Sequence, residues 1–202
     1  MKAQGICTEK NGGTLLDAIV TGIDEAPDGV RLHSTDGVHR FDKVLVATGG
    51  FSKALLGSEH RLKVCARTVA LFRLEAAELA RLAGMPSYID LTADGLDPYF
   101  LPPILYPDGH QWIKLGGDPV DVEVGTTEEV NDWFRSGGSV EVADFLQELI
   151  CRKIPGLTFA ERQIKPCVTS YTQTDMPDLR KLSDRVAIAV GGNGRAAKNS
   201  DE

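Results

Sequence analysis

The sequence predicts a protein of mixed α/β and α+β class, in which pieces of a parallel sheet at both ends of the chain flank an inserted α+β region. Two apolar runs close on glycines, at 43–50 and 185–192, and such runs are typical of parallel strands buried on both faces. Between them, over roughly 61–166, strand patterns joined by tight turns alternate with helix patterns. We therefore expect three segments, 1–60, 61–166 and 167–202, of which the first and the last form one domain.

Composition and charge narrow the class of function. The 202 residues carry a formal charge of −7, and no cluster of lysine and arginine stands out, which argues against nucleic acid or an anionic membrane as partner. No stretch approaches the roughly 18 apolar residues of a membrane span, and the N-terminus lacks a signal-peptide pattern. The cysteines form no CxxC pair and the histidines no HExxH motif, so no metal site and no disulfide framework are indicated. We expect a cytoplasmic protein that acts on a small molecule.

The first segment has the pattern of a helix followed by short strands. Residues 2–10 are typical of the end of a helix, and the Asn-Gly-Gly sequence at 11–13 supplies its stop signal. A β-type stretch follows over 14–23. Asp-Gly pairs at 28–29 and 36–37 then predict short antiparallel strands joined by tight turns.

The insert alternates strands and helices. A long strand over 61–74 and a helix ending at Gly84 are followed by two strands on either side of the Pro-Asp-Gly turn at 107–109. Apolar residues at i, i+3, i+4, i+7 and i+8 from Val142 predict an amphipathic helix over 139–153. Two further strands, over 164–174 and 185–190, complete the chain.

Two glycine loops are candidate ligand-binding elements. Residues 192–197 satisfy G-x-G-x-x-G/A after an apolar strand, a pattern in which bare backbone approaches a pyrophosphate. Only five residues follow Ala197, too few for the second strand and acidic residue of a dinucleotide fingerprint, and Lys198 lacks the context of a Walker loop. The loop at 47–50 raises the same choice between a cofactor-binding backbone and an ordinary turn.

Four stretches, taken in order, resemble the C-terminal part of FAD-dependent amine oxidoreductases of the D-amino-acid oxidase superfamily. They are VLVATGGFSKALL, YPDGHQWIKLGG, SYTQTD and IAVGGNGRAAKNS, and they are most similar to the monomeric sarcosine oxidase and N-methyltryptophan oxidase branch. The resemblance implies a Rossmann-like FAD-binding domain, here 1–60 and 167–202, with an antiparallel-sheet substrate domain inserted at 61–166. Members of the family begin with a strand, GxGxxG and a helix, so we expect this chain to be a fragment that lacks that unit.

The resemblance implies that Lys114 is catalytic. It matches the family lysine that lies over the flavin ring and assists the reduction of O2, where a cation stabilises developing negative charge. Period-two alternation places His110, Trp112, Lys114, Gly116 and Asp118 on one strand face. Asp118 stands where sarcosine oxidases carry a histidine.

Substrate binding is expected mainly at the last loop. The resemblance matches Lys198 to the lysine that binds the substrate carboxylate, a strong orienting contact in a dry pocket. Arg195 replaces the family's usual histidine and adds a second cation. Trp112 and Tyr171 are further candidates for substrate binding, although Trp112 could equally belong to the core.

The same resemblance brings both glycine loops near FAD, and the expected cofactor-binding residues are Ala47, Thr48, Gly49, Gly50, Gly191, Gly192, Asn193 and Gly194. Cys167 is a candidate for a covalent thioether to the flavin. The family cysteine lies two residues before the tyrosine of Y-T-x-T, where this chain has Thr169. Because Cys167 lies roughly 6.6 Å further along the strand, a thioether would require a shifted register; the alternative is a small buried hydrophobic side chain.

The predicted activity is FAD-dependent oxidation of the C–N bond of an amino acid or N-methyl amino acid to an imine, with O2 as acceptor and hydrogen peroxide as product. Two alternatives stay open. The same fold could serve a dehydrogenase that passes electrons to a carrier, since Lys114 is the only feature that favours O2. The chain could also be a non-catalytic fragment or interaction module, and we expect the fragment alone to be inactive and to carry little FAD.

Overall fold

A computed structural model describes residues 2–91 and 96–194 of the chain. They fall into two compact units, Met1–Ala47 with Leu179–Ala189, and Thr48–Asp178 with Val190–Glu202. In the described residues no helix is long and apolar enough to span a membrane. The four cysteines are free thiols.

The first unit combines a short helix with small sheets. Helix α1 is Lys2–Lys10, and the antiparallel strands β1 (Val20–Ala26), β2 (Gly29–Ser34) and β3 (Gly37–Phe41) pair in chain order through two-residue turns. The expected helix stop and hairpins are therefore confirmed. The strand expected over 14–23 is wrong in its first half, because ladder pairing begins only at Val20.

A second sheet in this unit contains the parallel pair predicted from the apolar runs. Strand β4 (Val44–Val46) pairs in parallel with β12 (Val186–Val190), and β11 (Asp178–Lys181) lies on the other side of β12. The expectation of burial on both faces is wrong for β4, since Leu45 is 63% exposed. Among the described residues β4 is an edge strand and packs its buried side chain on one face only.

The second unit is built on one antiparallel sheet, which confirms the predicted mixed class with an antiparallel insert. Its strands are β5 (Lys63–Arg73), β6 (Tyr88–Ile89), β7 (Tyr99–Leu105), β8 (Gln111–Gly116), β9 (Val122–Glu123) and β10 (Glu161–Tyr171). The order is β10-β5-β8-β7-β6, and β9 pairs with β5. Strands β5 and β10 pair along their full length of 11 residues.

The α-helices in the described residues of this unit are α2 (Ser52–Leu56), α3 (Ala76–Arg81), α4 (Thr127–Ser136) and α5 (Val140–Lys153). Helix α5 confirms the amphipathic pattern, and its Ser139 cap accepts the Val142 N–H at 3.1 Å. Helix α4 was not predicted, although Thr126 and Glu129 form a reciprocal capping box, for which the sequence T-x-x-E is the signature.

The sheet presents two different faces because side chains alternate along a strand. On the back face, even-numbered residues of β5 such as Ala70 and Phe72 pack with Leu146 and Ile150 of α5. Val64 and Ala66 pack with Val130 of α4 on the same face. The odd-numbered residues of β5 lie on the opposite side, which we call the front face.

Candidate functional site

A cavity of about 820 Å³ lies on the front face of the sheet, within the roughly 300–1,000 Å³ typical of small-molecule and cofactor sites. Register explains its walls, because Arg67 of β5 lies opposite Cys167 of β10, and Lys63 lies opposite Tyr171. The end of β8 and residues 193–194 close other parts of the wall. We call this space the front cavity, and the lining residues used below are Lys63, Arg67, Tyr99, Asp118, Asp121, Cys167, Thr169, Tyr171, Asn193 and Gly194.

An ionic network centred on Asp121 forms one wall. Arg67 donates through Nη2 to Asp121 Oδ1 at 2.5 Å and to the Tyr171 hydroxyl at 3.1 Å, and Lys63 Nζ lies 2.6 Å from Asp121 Oδ2. Hydrogen bonds from Lys63 and then Arg67 lower the pKa of Asp121 below its ordinary value. Burial acts to lower the pKa of Arg67, but its bonds to Tyr171 and Asp121 outweigh that effect and raise it. This wall therefore carries permanent charges of both signs.

Asp118 is a second carboxylate in the front cavity, with a different environment. It lies two residues after the end of β8, and its two oxygens accept the Thr68 backbone N–H at 2.9 and 2.8 Å. Burial raises the pKa of Asp118 to about 6, although the Thr68 N–H and the charge of Arg67 act in the opposite direction. Asp118 is thus a carboxylate that can gain or lose a proton close to neutral pH.

The loop after β12 is held against the end of β10 by Asn193. The Asn193 backbone N–H donates to Ser170 O at 2.9 Å, its side-chain oxygen accepts the Thr172 N–H at 3.0 Å, and Nδ2 donates to Gly191 O at 2.5 Å. A Cβ at Gly191 would lie 2.2 Å from Thr172 Cγ2, so the close approach requires glycine. The side-chain amide of Asn193 therefore positions the loop rather than standing free for a ligand.

Thr169 presents a buried hydroxyl without a partner. Its Oγ1 has no hydrogen-bond partner within the described part of the chain, and Thr169 lines the front cavity between Cys167 and Tyr171 on the same strand. A buried hydroxyl without a partner costs about 1–3 kcal/mol. A ligand in the cavity that hydrogen-bonds Oγ1 would remove that cost. The Cys167 thiol is exposed rather than packed as a buried hydrophobic side chain.

Lys114 and Trp112 lie on the front face, as the alternation predicted, but they line a separate, smaller cavity of about 390 Å³. Val69 contributes to both cavities, and Lys114 Nζ lies 5.7 Å from the ring centre of Tyr99, which lines the front cavity. Trp112 is 1% exposed, and its indole N–H donates to Asp108 Oδ2 at 2.9 Å. The structure thus brings Tyr171, Cys167, Asn193 and Gly194 together and keeps Trp112 and Lys114 apart from them.

The loop at 47–50 follows β4, and its second half packs behind the sheet. A Cβ at Gly50 would lie 2.5 Å from Val168 Cγ2 on the back face of β10, and the Thr48 and Ser52 hydroxyls are 3.0 Å apart. Within 2–91 and 96–194, Thr48, Gly49 and Gly50 are not part of the front-cavity wall. Their expected contact with the cofactor, like that of Ala47, Gly191 and Gly192, stays a prediction. The expected carboxylate-binding pair, Lys198 and Arg195, lies outside the described residues.

Several lining residues escaped sequence reasoning as site candidates, among them Arg67, Lys63, Asp118, Asp121 and Thr169. The sequence did contain a signal for Arg67. Strand β5 is apolar at most positions, yet it carries Lys63 and Arg67 with odd numbers, and charges on one side of a buried strand indicate a face that is not core. Asp121 joins them only through tertiary structure, 54 residues away from Arg67.

Comparison with known proteins gives a consistent result. A family model described as FAD dependent oxidoreductase matches residues 5–201. A search of curated protein sequences finds no match. Among solved structures, fructosyl peptide oxidase from E. terrenum is 18% identical with a TM-score of 0.75, covering 98% of this chain and 49% of that one.

Two further solved structures have the same fold. NikD, an amino acid oxidase essential for nikkomycin biosynthesis, is 15% identical with a TM-score of 0.69, covering 93% of this chain and 50% of that one. The fructosamine oxidase Amadoriase II from Aspergillus fumigatus is 14% identical with a TM-score of 0.66, covering 89% and 44%. The chain therefore spans half or less of the length of these three structures, and identities this low establish similarity of fold alone.

Proposed function

The chain belongs to the FAD dependent oxidoreductase family, and on that premise we propose that its front cavity binds the flavin of FAD and an amine substrate. The proposed reaction is oxidation of the C–N bond of an amino acid or N-substituted amino acid to an imine. The observation that carries this proposal is the front cavity with its partnerless Thr169 hydroxyl. When bound, FAD supplies the acceptor for the hydride that leaves the carbon next to nitrogen.

The lining residues fit a flavin. Its ring combines an apolar surface with several hydrogen-bond acceptors and donors, and the Thr169 hydroxyl offers a bond that nothing in the described chain satisfies. The loop held by Asn193 brings bare backbone at Gly194 to the same wall. The residue at the family's thioether position is Thr169 rather than a cysteine, which favours a flavin held without a covalent bond. Cys167 stays the alternative if the register of β10 shifts on binding.

Asp118 is the proposed anchor for the substrate nitrogen. A half-buried carboxylate attracts an ammonium group more strongly than an exposed one does, because solvent screens the pair less. With a pKa of about 6, Asp118 is mainly ionised at neutral pH and can hold the amine. It can also take up the proton that the amine must lose before its carbon is oxidised. The Asp118 carboxylate would thus both orient the substrate amine and accept its proton.

O2 is the proposed electron acceptor, with Lys114 as the cation that stabilises charge developing on oxygen. Lys114 lies in the smaller cavity, separated from the front cavity by Val69 and Tyr99. This arrangement supports separate places for the amine and for oxygen on one sheet face. The second candidate is a dehydrogenase that passes electrons to a carrier. It stays open because Lys114 is the only feature that favours O2 as acceptor. Comparing reoxidation of the reduced flavoprotein by O2 and by a quinone dye discriminates between them.

The test of the proposed function is a titration of the 202-residue chain with FAD, followed by flavin fluorescence anisotropy. The sequence alone led to the expectation that this chain carries little FAD, but the front cavity is formed by residues of this chain, and we therefore propose that binding is saturable. Thr169→Val should weaken it by about 2- to 12-fold, the equivalent of one hydrogen bond of roughly 0.5–1.5 kcal/mol. Thr169→Ser keeps the hydroxyl and is expected to bind like the original chain. Absence of saturable binding would refute the proposal, and equal affinity of the valine variant would remove Thr169 from the site.

A further inference from the structure

We infer that Arg67 is a positioning residue that holds the Tyr171 hydroxyl as a hydrogen-bond donor to an acceptor atom of the ligand in the front cavity. The inference rests on the proposed function, in which that ligand is the flavin. It starts from an unusual connection, because Arg67 and Tyr171 are not cross-strand partners. Arg67 lies opposite Cys167, and its side chain reaches along the sheet to the tyrosine four residues further on.

The chemistry of the two groups decides the direction of their hydrogen bond. A guanidinium has five N–H donors and no acceptor, so the phenol oxygen accepts from Arg67 Nη2 at 3.1 Å. The phenol hydrogen must then go to a different atom. Arg67 is the one hydrogen-bond partner of the Tyr171 hydroxyl within the described ranges, and Tyr171 lines the front cavity. Its hydrogen is thus free to be donated to a ligand there.

Arg67 is itself held firmly in place. Its Nη2 bonds Asp121 at 2.5 Å and its Nη1 donates to Ala66 O at 3.1 Å. The side chain is only 16% exposed, and the guanidinium lies 5.7 Å from the centre of the Tyr171 ring. Lys63, which also binds Asp121, keeps that carboxylate in position from the other side. The tyrosine therefore meets a guanidinium that cannot swing away without breaking an ion pair.

The positive charge also bears on which ligand atom is favoured. A phenol that accepts from a cation becomes a better donor, since hydrogen bonds polarise one another in a chain. Such a donor best matches an electron-rich oxygen or nitrogen of the flavin ring. Thr169, two residues before Tyr171 on the same strand face, offers a second hydroxyl to the same ligand.

The test is a double-mutant cycle in the full 202-residue chain, read by FAD titration and by the visible absorption spectrum of bound FAD. Tyr171→Phe and Arg67→Met should each weaken FAD binding by about 5- to 20-fold and shift the spectrum alike. The double variant should bind no more weakly than the weaker single variant, because Arg67 acts through the hydroxyl. Arg162→Met is the matched control: it removes an arginine of β10 that binds Asp144 and that is not among the described residues of the front-cavity wall, and it should change affinity less than twofold.

Thermal unfolding establishes that each variant is folded. If Arg67→Met is not, Arg67→Lys replaces it, since an ammonium keeps the charge but lacks the planar guanidinium whose Nη1 bonds Ala66 O and whose Nη2 bonds both Asp121 and Tyr171. Effects that add in the double variant, or an Arg162→Met loss equal to that of Arg67→Met, would overturn the positioning role while FAD binding itself stands. Failure of the unmodified chain to bind FAD would instead refute the proposed function and the inference with it.

Discussion

Replacing Asp118 with asparagine is expected to stabilise the protein at neutral pH. Burial raises the pKa of Asp118 from 3.8 to about 6, which means that the folded state favours the neutral carboxyl. A pKa change of one unit corresponds to about 1.4 kcal/mol. Without solvent screening, this rise in pKa would therefore lower the free energy of unfolding at neutral pH by about 3 kcal/mol. Because Asp118 is partly exposed and solvent screens it, we expect about 1–2 kcal/mol. Asparagine keeps an oxygen for the Thr68 N–H without the charge.

The sign of the pH dependence follows from the direction of the pKa change. Between pH 4 and 6 the folded state binds more protons at Asp118 than the unfolded chain, so the free energy of unfolding falls as pH rises through this window and then levels off. In Asp118→Asn this carboxyl is absent, so its contribution to the fall in the free energy of unfolding with rising pH is absent as well. The difference between the two proteins should therefore be small near pH 4 and reach its full size above about pH 6.

Urea unfolding of both proteins at several pH values between 4 and 8 measures this difference. Asp121→Asn is the matched control, because the pKa of Asp121 is lowered by Lys63 and Arg67, and its loss should destabilise the protein at neutral pH. A destabilising effect of Asp118→Asn at pH 7.5, or one that does not change with pH, would refute the assigned environment of Asp118. Opposite signs for two carboxylates in one cavity are hard to produce by general charge effects.

Three further outcomes are expected. Asn193→Ala should lower the free energy of unfolding by about 1–3 kcal/mol, because the Thr172 N–H loses its acceptor. Asn193→Gly also relieves the φ of 48° and should be destabilised equally if the side-chain amide is responsible. A glycine variant as stable as the original chain would argue for backbone strain instead. Lys114→Met in an FAD-loaded protein should slow reoxidation by O2 far more than anaerobic reduction, as stopped-flow absorbance can measure, and equal effects on both would remove its assigned role. Leu146→Ala should cost about 2–5 kcal/mol in urea unfolding because Leu146 is fully buried, without weakening FAD binding; a loss of affinity would contradict the separation of the two sheet faces.

Local patterns in the sequence were sufficient for much of the fold. The four short motifs indicated the family that the match over residues 5–201 now confirms. The spacing from Val142 predicted α5, and the apolar runs predicted the parallel pair of β4 and β12. These features are local or repeat within a few residues, so a single stretch of chain carries the signal. Helix α4 was missed because its apolar residues are few, although its capping box was readable.

The site was less accessible because it depends on register and on tertiary contacts. The family resemblance indicated Lys114, and alternation along β8 gave its strand face. A strand face does not define a cavity, and the structure separates Lys114 from Tyr171. Arg67 reaches Tyr171 across 104 positions of sequence, a juxtaposition that exists only once β5 and β10 pair. The unsatisfied hydroxyl of Thr169 is likewise a property of the packed structure and has no sequence signature.

The two faces of the central sheet divide stability from ligand binding. On the back face, Phe72 and Leu146 are fully buried among apolar neighbours, and such packing favours folding at every position. The front face carries two groups that cost stability, the Asp118 carboxylate with its raised pKa and the partnerless Thr169 hydroxyl. Unfavourable groups that face one cavity indicate a function there rather than a defect of folding. On β5, substitutions at Arg67, which lines the front cavity, should therefore alter ligand binding, whereas substitutions at the buried even-numbered positions should alter stability.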